Sequence, residues 1–286
     1  MAAKLLDGNA FLETVKAELA VRVKALGDQG VTPGLGTILV GDDESSASYV
    51  RMKHENSAEL GIASFHQELP ADATQDEVFA AVSAFNENPD VDAFLVQLPL
   101  PKHLDEEATL RAVDPDKDVD GLHPVNLGRL VMGVDAPVAC TPAGIQALLV
   151  HYGVPIEGRH VVIVGRGLTI GRPLANLLSL KRPNANAAVT VVHTGISDLG
   201  AYTREADILI VAAGAPGIVT PEMVSPGAAV VSAGVTFGEG RKLLPDVDEA
   251  VAEVAGWITP RLGGVGPTTR GMLLRNTVAA ASRRAH

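Results

Sequence analysis

Cysteine is almost absent from this sequence, and long apolar runs are missing altogether. Cys140 is the only cysteine among 286 residues, which excludes an intrachain disulfide and a zinc site built from cysteines. No run of 18 apolar residues occurs, and the first residues lack the apolar stretch of a signal peptide. We therefore expect a protein of the reducing cytoplasm with no membrane partner, in which Cys140 is a small buried residue and not a nucleophile.

Aromatic residues and positive charge are also scarce. Aromatic residues make up 3% of the chain, and 23 basic against 34 acidic residues give a net charge of −11. Nucleic-acid binding needs a basic face and stacking aromatics, so we expect no nucleic-acid partner. The eight histidines are scattered without metal-ligand spacing, and we expect no metal site. A small anionic ligand stays compatible with this charge, because backbone N–H groups and one or two arginines suffice to bind it.

Strand-like and helix-like segments alternate along the chain. The predicted helices cover 11–26, 47–60, a segment opened by a capping box at 74–77, a segment with Thr141 as N-cap and Pro142 as its first residue, and 269–281. The predicted strands are 37–40, 62–69, 91–98, 160–164, 188–192, 207–213, 228–232 and 256–259. This alternation predicts an α/β fold with parallel sheets covered by helices on both faces. The stretch 99–142, rich in Pro, Asp and Gly, is predicted to hold functional loops and a domain boundary.

Three glycines, Gly165, Gly167 and Gly171, follow the apolar strand 160–164. Glycines at a strand-to-helix junction permit a tight turn and the close approach of a pyrophosphate, whose charge then lies at the helix N-terminus. The spacing is one residue longer than the usual dinucleotide fingerprint, so an ordinary glycine turn remains the alternative.

The expected cofactor is NADP and not NAD. An NAD site carries a carboxylate about 20 residues beyond the glycine loop, where it binds the ribose hydroxyl. Here the second strand runs into Thr194 and Gly195 without a carboxylate. Arg166, within the glycine loop, has the guanidinium that pairs well with a 2′-phosphate. The alternative is that Arg166 is only solvated.

Tyr49 and Lys53 are four residues apart on a predicted helix and so share one face. A desolvated lysine can carry proton chemistry near neutral pH, which suits a reaction at a carbon–nitrogen centre. The alternative is a surface helix with an ordinary lysine. Short-chain dehydrogenases use the same Tyr/Lys spacing, but their glycine loop precedes it, whereas here the loop follows by more than a hundred residues.

The acidic run Asp116-Lys-Asp-Val-Asp-Gly121 imitates the start of a calcium-binding loop. The match fails because Leu127 occupies the position of the bidentate glutamate, and Pro124 stands at position nine of that loop. We interpret the run as a tight loop in which Asp120 accepts hydrogen bonds from the N–H edge of an aminopyrimidine. Nearby His123 is expected to be a packed or capping residue and not a base.

Seven short stretches occur in a characteristic order and spacing. They are Val40-Gly41 with Ser48-Tyr-Val-Arg-Met-Lys53, Val96-Gln-Leu-Pro-Leu-Pro101, Asp116-Lys-Asp-Val-Asp-Gly121, His123-Pro-Val-Asn126, Cys140-Thr-Pro-Ala-Gly144, 165–173, and Gly263-Gly-Val-Gly-Pro267 with Thr269. Over essentially its full length the chain therefore resembles the bifunctional methylenetetrahydrofolate dehydrogenase/cyclohydrolase family. Each stretch alone is modestly specific, whereas the seven together are highly specific.

The resemblance implies a folate-binding catalytic domain over 1–141, completed by a C-terminal helix over 268–286, and a Rossmann-type NADP-binding domain over 142–267. A folate cleft between the two domains and a homodimer formed through the cofactor domains are further implications. The implied reactions are NADP-dependent oxidation of 5,10-methylenetetrahydrofolate to the methenyl form and hydrolysis of that product to 10-formyltetrahydrofolate. No metal is implied.

The resemblance also assigns roles to residues of this chain. Lys53 is expected to handle protons in the cyclohydrolase step, with Gln97 orienting it, and Tyr49 is expected to line the folate and assist catalysis. The remaining expected substrate residues are Asp120, Gly263, Gly264 and Pro267. The expected cofactor residues are Gly165, Arg166, Gly167, Thr169, Ile170, Gly171, Thr194 and Val235, of which Arg166 and Thr194 would contact the 2′-phosphate.

Three positions depart from the family pattern: Gly167 where Ser is frequent, Ser232 where Asp is usual, and Leu262 where Pro is usual. They affect the expected strength and selectivity of cofactor binding more than the reaction.

Three alternatives stay open on the sequence. They are a monofunctional dehydrogenase of the same fold, a two-domain NADP dehydrogenase for another substrate, and a non-catalytic nucleotide sensor. Without the resemblance, Gln97 would simply end a strand.

Overall fold

The computed structural model describes residues 3–238 and 243–284. The chain forms two compact units. The three-strand unit comprises Thr14–Arg129, Asp135–Val138 and Arg270–His286, and the six-strand unit comprises Met1–Glu13, Leu130–Val134 and Ala139–Thr269. No helix of the described ranges is long and apolar enough to cross a membrane.

The elements alternate as the sequence predicts. The strands are β1 (Lys4–Leu5), β2 (Gly34–Val40), β3 (Ala63–Leu69), β4 (Ala93–Val96), β5 (His160–Val164), β6 (Ala188–Val192), β7 (Ile208–Val211), β8 (Ala229–Ser232), β9 (Val235–Phe237), β10 (Leu243–Pro245) and β11 (Trp257–Ile258). The helices are α1 (Gly8–Gly27), α2 (Glu44–Glu59), α3 (Gln75–Glu87), α4 (Glu106–Ala112), α5 (Pro124–Met132), α6 (Cys140–His151), α7 (Gly171–Ser179), α8 (Gly200–Thr203) and α9 (Val265–Arg284). Short 3-10 helices cover Pro221–Met223 and Glu249–Glu253.

The three-strand unit is built on a parallel sheet in the order β3-β2-β4. β2 is buried along its whole length, because it lies in the centre of the sheet. On one face, Ile38 and Phe94 pack with Val78 and Val82 of α3. α3 begins with the predicted capping box, in which the backbone N–H of Thr74 donates to the Glu77 carboxylate at 2.7 Å. The apolar strands and the capped helix thus fix this layer from local sequence alone.

The six-strand unit is a wholly parallel sheet in the order β1-β11-β8-β7-β5-β6. β5 and β7 lie side by side in its interior, and their residues from Val161 to Val164 and from Ile208 to Val211 are buried on both faces. Such near-continuous aliphatic strands are typical of parallel sheets covered on two sides. A separate antiparallel pair, β9 with β10, accompanies the sheet. The predicted α/β fold with parallel sheets is confirmed.

The structure differs from the sequence predictions at the first strand, at the start of α6 and in the stretch 99–142, where α4 and α5 form in place of predicted loops. The first strand, Lys4–Leu5, pairs with Trp257–Ile258 at the edge of the six-strand sheet, so the first residues group with this unit and not with the predicted domain 1–141. The N-cap of α6 is Ala139 and not Thr141. The Thr141 hydroxyl instead lies 3.0 Å from that of Thr269, so a contact with a distant segment replaces the predicted local cap.

Candidate active site

Lys53 and Gln97, distant in sequence, meet in the three-strand unit. α2 is capped by Asp43, whose carboxylate accepts from the Ser46 N–H at 2.8 Å, and the helix carries Lys53 at a position only 9% exposed. Gln97 follows β4 directly. The Lys53 Nζ donates to the Gln97 Oε1 at 3.0 Å. The sequence interpretation therefore placed these two side chains together correctly.

The orientation of the Gln97 side-chain amide is fixed by hydrogen bonds at both its nitrogen and its oxygen. Its Nε2 donates to the carbonyl oxygen of Leu98 at 2.7 Å, and the following Leu98–Pro99 peptide bond is cis. Since an ammonium group only donates, the amide oxygen must face Lys53. One helical turn before Lys53, Tyr49 leaves 39% of its surface exposed and is available for stacking on a planar ligand.

The acidic loop is held together by Asp118. Its buried carboxylate accepts from the N–H of Gly121 at 3.0 Å, from the N–H of His123 at 2.8 Å and from the Asn126 amide at 2.9 Å. Gly121 adopts φ +68°, the left-handed conformation that closes the turn. Because Asp118 is occupied in this way, Asp120 is the carboxylate that the loop leaves for a ligand.

Burial raises the pKa of Asp120 above its usual range, the positive charge of Lys53 opposes this shift, and Asp118 adds to it. Asp120 and Lys53 are therefore electrostatic neighbours. The backbone explains why, since the Lys117 carbonyl accepts from the Phe94 N–H at 2.8 Å and so aligns the acidic loop with β4, which ends next to Gln97. In the described part of the chain, no cluster of three or more His, Cys, Asp or Glu could hold a metal ion.

Two further expectations concern His123 and Cys140, which we expected to be packed residues and not catalytic ones. The Nδ1 of His123 accepts from the Val125 N–H at 3.1 Å at the start of α5, and the ring is buried, so His123 is a packed capping residue as predicted. Cys140 is buried at the start of α6. Both findings agree with the sequence interpretation.

The predicted phosphate-binding loop lies between β5 and α7 in the six-strand unit. Gly165 has φ +129°, and a Cβ there would overlap the carbonyl oxygen of Ala212, so only glycine fits. A Cβ at Gly171 would overlap the Gly165 carbonyl in the same way, whereas Gly167 faces open space. Positions 165 and 171 therefore require glycine, because another part of the backbone lies where a Cβ would be, whereas Gly167 leaves room for a ligand.

The loop presents groups suited to an anion. Arg166 and Thr169 are exposed, Ile170 precedes α7, and no side chain caps the first turn of that helix. The N–H of Gly165 donates to the Val192 carbonyl at 2.8 Å, which joins this loop to the end of β6, and the exposed Thr194 follows that strand by two residues. The predicted cofactor residues at these two loops thus share one edge of the sheet.

The remaining predicted residues lie elsewhere in the six-strand unit. Gly263 has φ +79°, and the loop of Gly263 and Gly264 packs so tightly on the first turn of α1 that a Cβ at Gly8 would overlap the Gly264 carbonyl. Pro267 is buried in the first turn of α9. Val235 begins β9, and its side chain lies outside the described part of the structure.

Sequence reasoning missed a row of hydrogen-bonded side chains that includes His54, the residue after Lys53. The buried Thr37 hydroxyl lies 2.8 Å from the His54 Nε2 and 2.8 Å from the His66 Nδ1, and the His66 Nε2 lies 3.2 Å from the Glu68 carboxylate. Burial, followed by the charges of His66 and Lys53, lowers the pKa of His54. No sequence signal points to this row of side chains, because its members come from three separate elements, β2, α2 and β3.

Comparison with known proteins places the chain in a family. The model of the tetrahydrofolate dehydrogenase/cyclohydrolase catalytic domain matches residues 6–120, and that of the NAD(P)-binding domain of the same family matches residues 139–285. A curated relative, the bifunctional protein FolD of Syntrophotalea carbinolica, is 63% identical over 100% of this chain and 98% of its own length.

Solved structures agree with this assignment. The bifunctional FolD methylenetetrahydrofolate dehydrogenase/cyclohydrolase of Campylobacter jejuni has a TM-score of 0.95 and 41% identity, covering 99% of this chain and 100% of that one. The Trypanosoma brucei dehydrogenase-cyclohydrolase, solved with NADP and an inhibitor, has a TM-score of 0.93 and 39% identity, covering 99% of each chain. With two matching domain models and these full-length relatives, the chain belongs to the tetrahydrofolate dehydrogenase/cyclohydrolase family.

Proposed function

We propose that this protein is a bifunctional enzyme of tetrahydrofolate one-carbon metabolism. It oxidises 5,10-methylenetetrahydrofolate to 5,10-methenyltetrahydrofolate with NADP and then hydrolyses the product to 10-formyltetrahydrofolate. Beside family membership, one observation carries the proposal: the buried Lys53 ammonium is hydrogen-bonded to Gln97 at 3.0 Å, and its charge opposes the rise in the pKa of the Asp120 carboxylate. This arrangement places a proton-handling group beside an acceptor for an aminopyrimidine edge.

The hydride transfer requires little acid–base catalysis by the protein. NADP supplies the acceptor carbon, and the protein contributes position and exclusion of water. The six-strand unit has features that fit such a dinucleotide, namely the open space at Gly167, the uncapped first turn of α7 and the exposed Arg166 and Thr194 beside the joined loops. In this proposal Arg166 and Thr194 bind the 2′-phosphate, and the backbone from Gly165 to Gly171 cradles the pyrophosphate.

The hydrolytic step requires proton transfer, and we assign that task to Lys53. As water adds to the methenyl carbon, the new C–O bond releases a proton, and the later cleavage of the bond from this carbon to N5 needs a proton at N5. A lysine held in a largely buried site can serve both transfers, as the neutral amine that accepts the proton from the adding water and as the ammonium that then donates it to N5. Gln97 keeps the Nζ in place, because its own amide is held by Leu98.

Residues of both units would recognise the substrate. Asp120 accepts hydrogen bonds from the pterin edge, and the exposed ring of Tyr49 stacks on the folate and assists the proton chemistry. Gly263, Gly264 and Pro267 would shape the folate wall, a role supported by the resemblance.

Oligomeric state and compartment are part of the same proposal. We expect a homodimer associated through the cofactor domains, as the family resemblance implies. A sequence with a single cysteine, Cys140, is compatible with a reducing compartment, and we expect the enzyme to work in the cytoplasm.

A pair of spectrophotometric assays tests the proposal. NADP reduction with 5,10-methylenetetrahydrofolate measures the first activity, with NAD as the comparison, and accelerated loss of methenyl absorbance without cofactor measures the second. Lys53→Met should abolish hydrolysis and leave appreciable dehydrogenase activity. Lys24→Met, at a side chain 78% exposed on α1, is the matched control and should leave both activities unchanged. Equal survival of both activities in Lys53→Met would remove Lys53 from the mechanism.

The monofunctional dehydrogenase remains the second candidate, and the same assays separate it. Reduction of NADP without accelerated hydrolysis in the wild-type protein would establish that alternative. Bifunctional relatives at high identity favour the two-activity enzyme.

A further inference from the structure

Asp246 is a fully buried carboxylate that the sequence interpretation did not use. It follows β10, and it accepts three backbone hydrogen bonds. The N–H of Ala213 donates to Oδ2 at 2.7 Å, that of Gly214 to Oδ2 at 2.9 Å and that of Ala215 to Oδ1 at 2.8 Å. A buried carboxylate is costly unless such donors compensate it, so its retention at this position calls for a reason.

The three donors belong to the segment that follows β7. We define residues 213–215 as the β7 loop. β7 lies beside β5 in the sheet, and a Cβ at Gly165 would overlap the carbonyl oxygen of Ala212, the residue before the β7 loop. The segment that leads into the β7 loop and the phosphate-binding loop therefore touch through their backbones. A shift of one displaces the other.

Asp246 also contacts the segment after β8. A Cβ at Gly234 would overlap the Asp246 Oδ2, and the N–H of Gly234 donates to the Val211 carbonyl at 2.9 Å. Thr236 adds a hydrogen bond from its hydroxyl to the Gly214 carbonyl at 3.2 Å. One carboxylate thus holds the β7 loop and packs on the segment after β8, at the carboxyl ends of adjacent parallel strands. Ligands of open α/β sheets bind at this edge.

The position of Asp246 and the β7 loop on the sheet indicates which half of the cofactor they would affect. On the proposed function, the 2′-phosphate end lies at Arg166 and Thr194, on the β6 side of β5. A dinucleotide that crosses β5 then reaches β7 and β8 with its nicotinamide half. We propose that Asp246 is a positioning residue that shapes the backbone receiving the nicotinamide half of NADP. It acts through the β7 loop and does not touch the reacting atoms.

Asp246→Asn tests this inference because it replaces one carboxylate oxygen by an NH₂ donor that faces backbone N–H groups. Loss of one such hydrogen bond should weaken NADP binding and raise the Michaelis constant for NADP at least about tenfold. The cofactor-independent hydrolysis of methenyltetrahydrofolate should keep its kcat/KM. Calorimetric titration of the intact protein with NADP provides the binding constant directly.

Asp248→Asn is the matched control. The exposed Asp248 also accepts a backbone N–H, that of Ala250 at 2.8 Å, but it caps a 3-10 helix and does not face the β7 loop. It should leave NADP binding unchanged. Gly234→Ala is the second variant, because its methyl group displaces the Asp246 carboxylate without changing any charge, and it should weaken NADP binding in the same way.

The outcomes separate a positioning role from a purely structural one. Weaker NADP binding with intact hydrolysis in both Asp246→Asn and Gly234→Ala supports the inference. Unchanged NADP affinity, or a parallel loss of both activities with the melting temperature, would overturn it. Failure of the wild-type protein to reduce NADP would refute the proposed function instead, whereas this inference is judged by how the variants differ from the wild-type protein in NADP affinity, hydrolysis and melting temperature.

Discussion

The Thr37 hydroxyl offers a quantitative test of the packing beneath α2. Thr37→Val replaces the hydroxyl by a methyl group of similar size, so the main change is the loss of two hydrogen bonds of 2.8 Å to His54 and His66. A net hydrogen bond contributes about 1 kcal/mol, and water can replace part of the loss because His54 is only partly buried and His66 is exposed. We expect the free energy of unfolding to fall by about 1–2 kcal/mol.

The assay is urea unfolding followed by far-ultraviolet circular dichroism, because the single tryptophan, Trp257, belongs to the six-strand unit and reports on that unit first. Thr37→Ser is the control, since it keeps the hydroxyl and loses only a methyl group, at a cost of about 1 kcal/mol. If the valine variant proves as stable as the wild-type protein, the two hydrogen bonds contribute nothing and the reasoning is refuted.

Three further predictions concern separate parts of the chain. Because the pKa of His54 is lowered in the folded state, folding favours the neutral ring, and this effect on the free energy of unfolding is complete above pH 6.5 and is lost as the pH falls below it. The free energy of unfolding should therefore rise with pH between pH 5 and 7, by at most about 1.4 kcal/mol per pH unit from this group, and His54→Asn should remove that part of the rise from unfolding curves. Arg284→Ala leaves the buried Asp92 carboxylate without its ion pair of 3.3 Å and should lower the free energy of unfolding by about 1–3 kcal/mol; an unchanged urea midpoint would contradict this. Gly165→Ala should abolish measurable NADP binding, because its methyl group overlaps the Ala212 carbonyl, and equal affinity in a titration would exclude the loop from the cofactor site.

Local signals in the sequence predicted much of the fold. The capping box of Thr74 and Glu77, the aliphatic run of β5 and the tight acidic loop that ends at Gly121 each depend on neighbours a few residues away, and each has the expected structural role. The pairing of Lys53 with Gln97 came from the family resemblance, because periodicity alone does not specify a contact between α2 and the end of β4.

Non-local contacts account for what the sequence did not predict. Thr141 has the residue type and position of an N-cap, but its hydroxyl meets Thr269 on another helix, and this tertiary contact overrides the local preference. The two residues of β1 are too few to give a strand pattern, and their partner strand is near the other end of the chain. Thr37 and Asp246 likewise depend on partners from other elements, which no spacing rule reveals.

The pairing of β1 with β11 bears on how the chain is made. Lys4 is synthesised roughly 250 residues before its partner Trp257, which corresponds to about 12–50 s at ordinary translation rates. During this interval β1 has no edge to join. The sheet of the six-strand unit is therefore completed only after β11 has been synthesised. A ribosome stalled before Trp257 should hold a chain in which the segment around Lys4 is accessible to protease, and synthesis and folding past Ile258 should protect this segment.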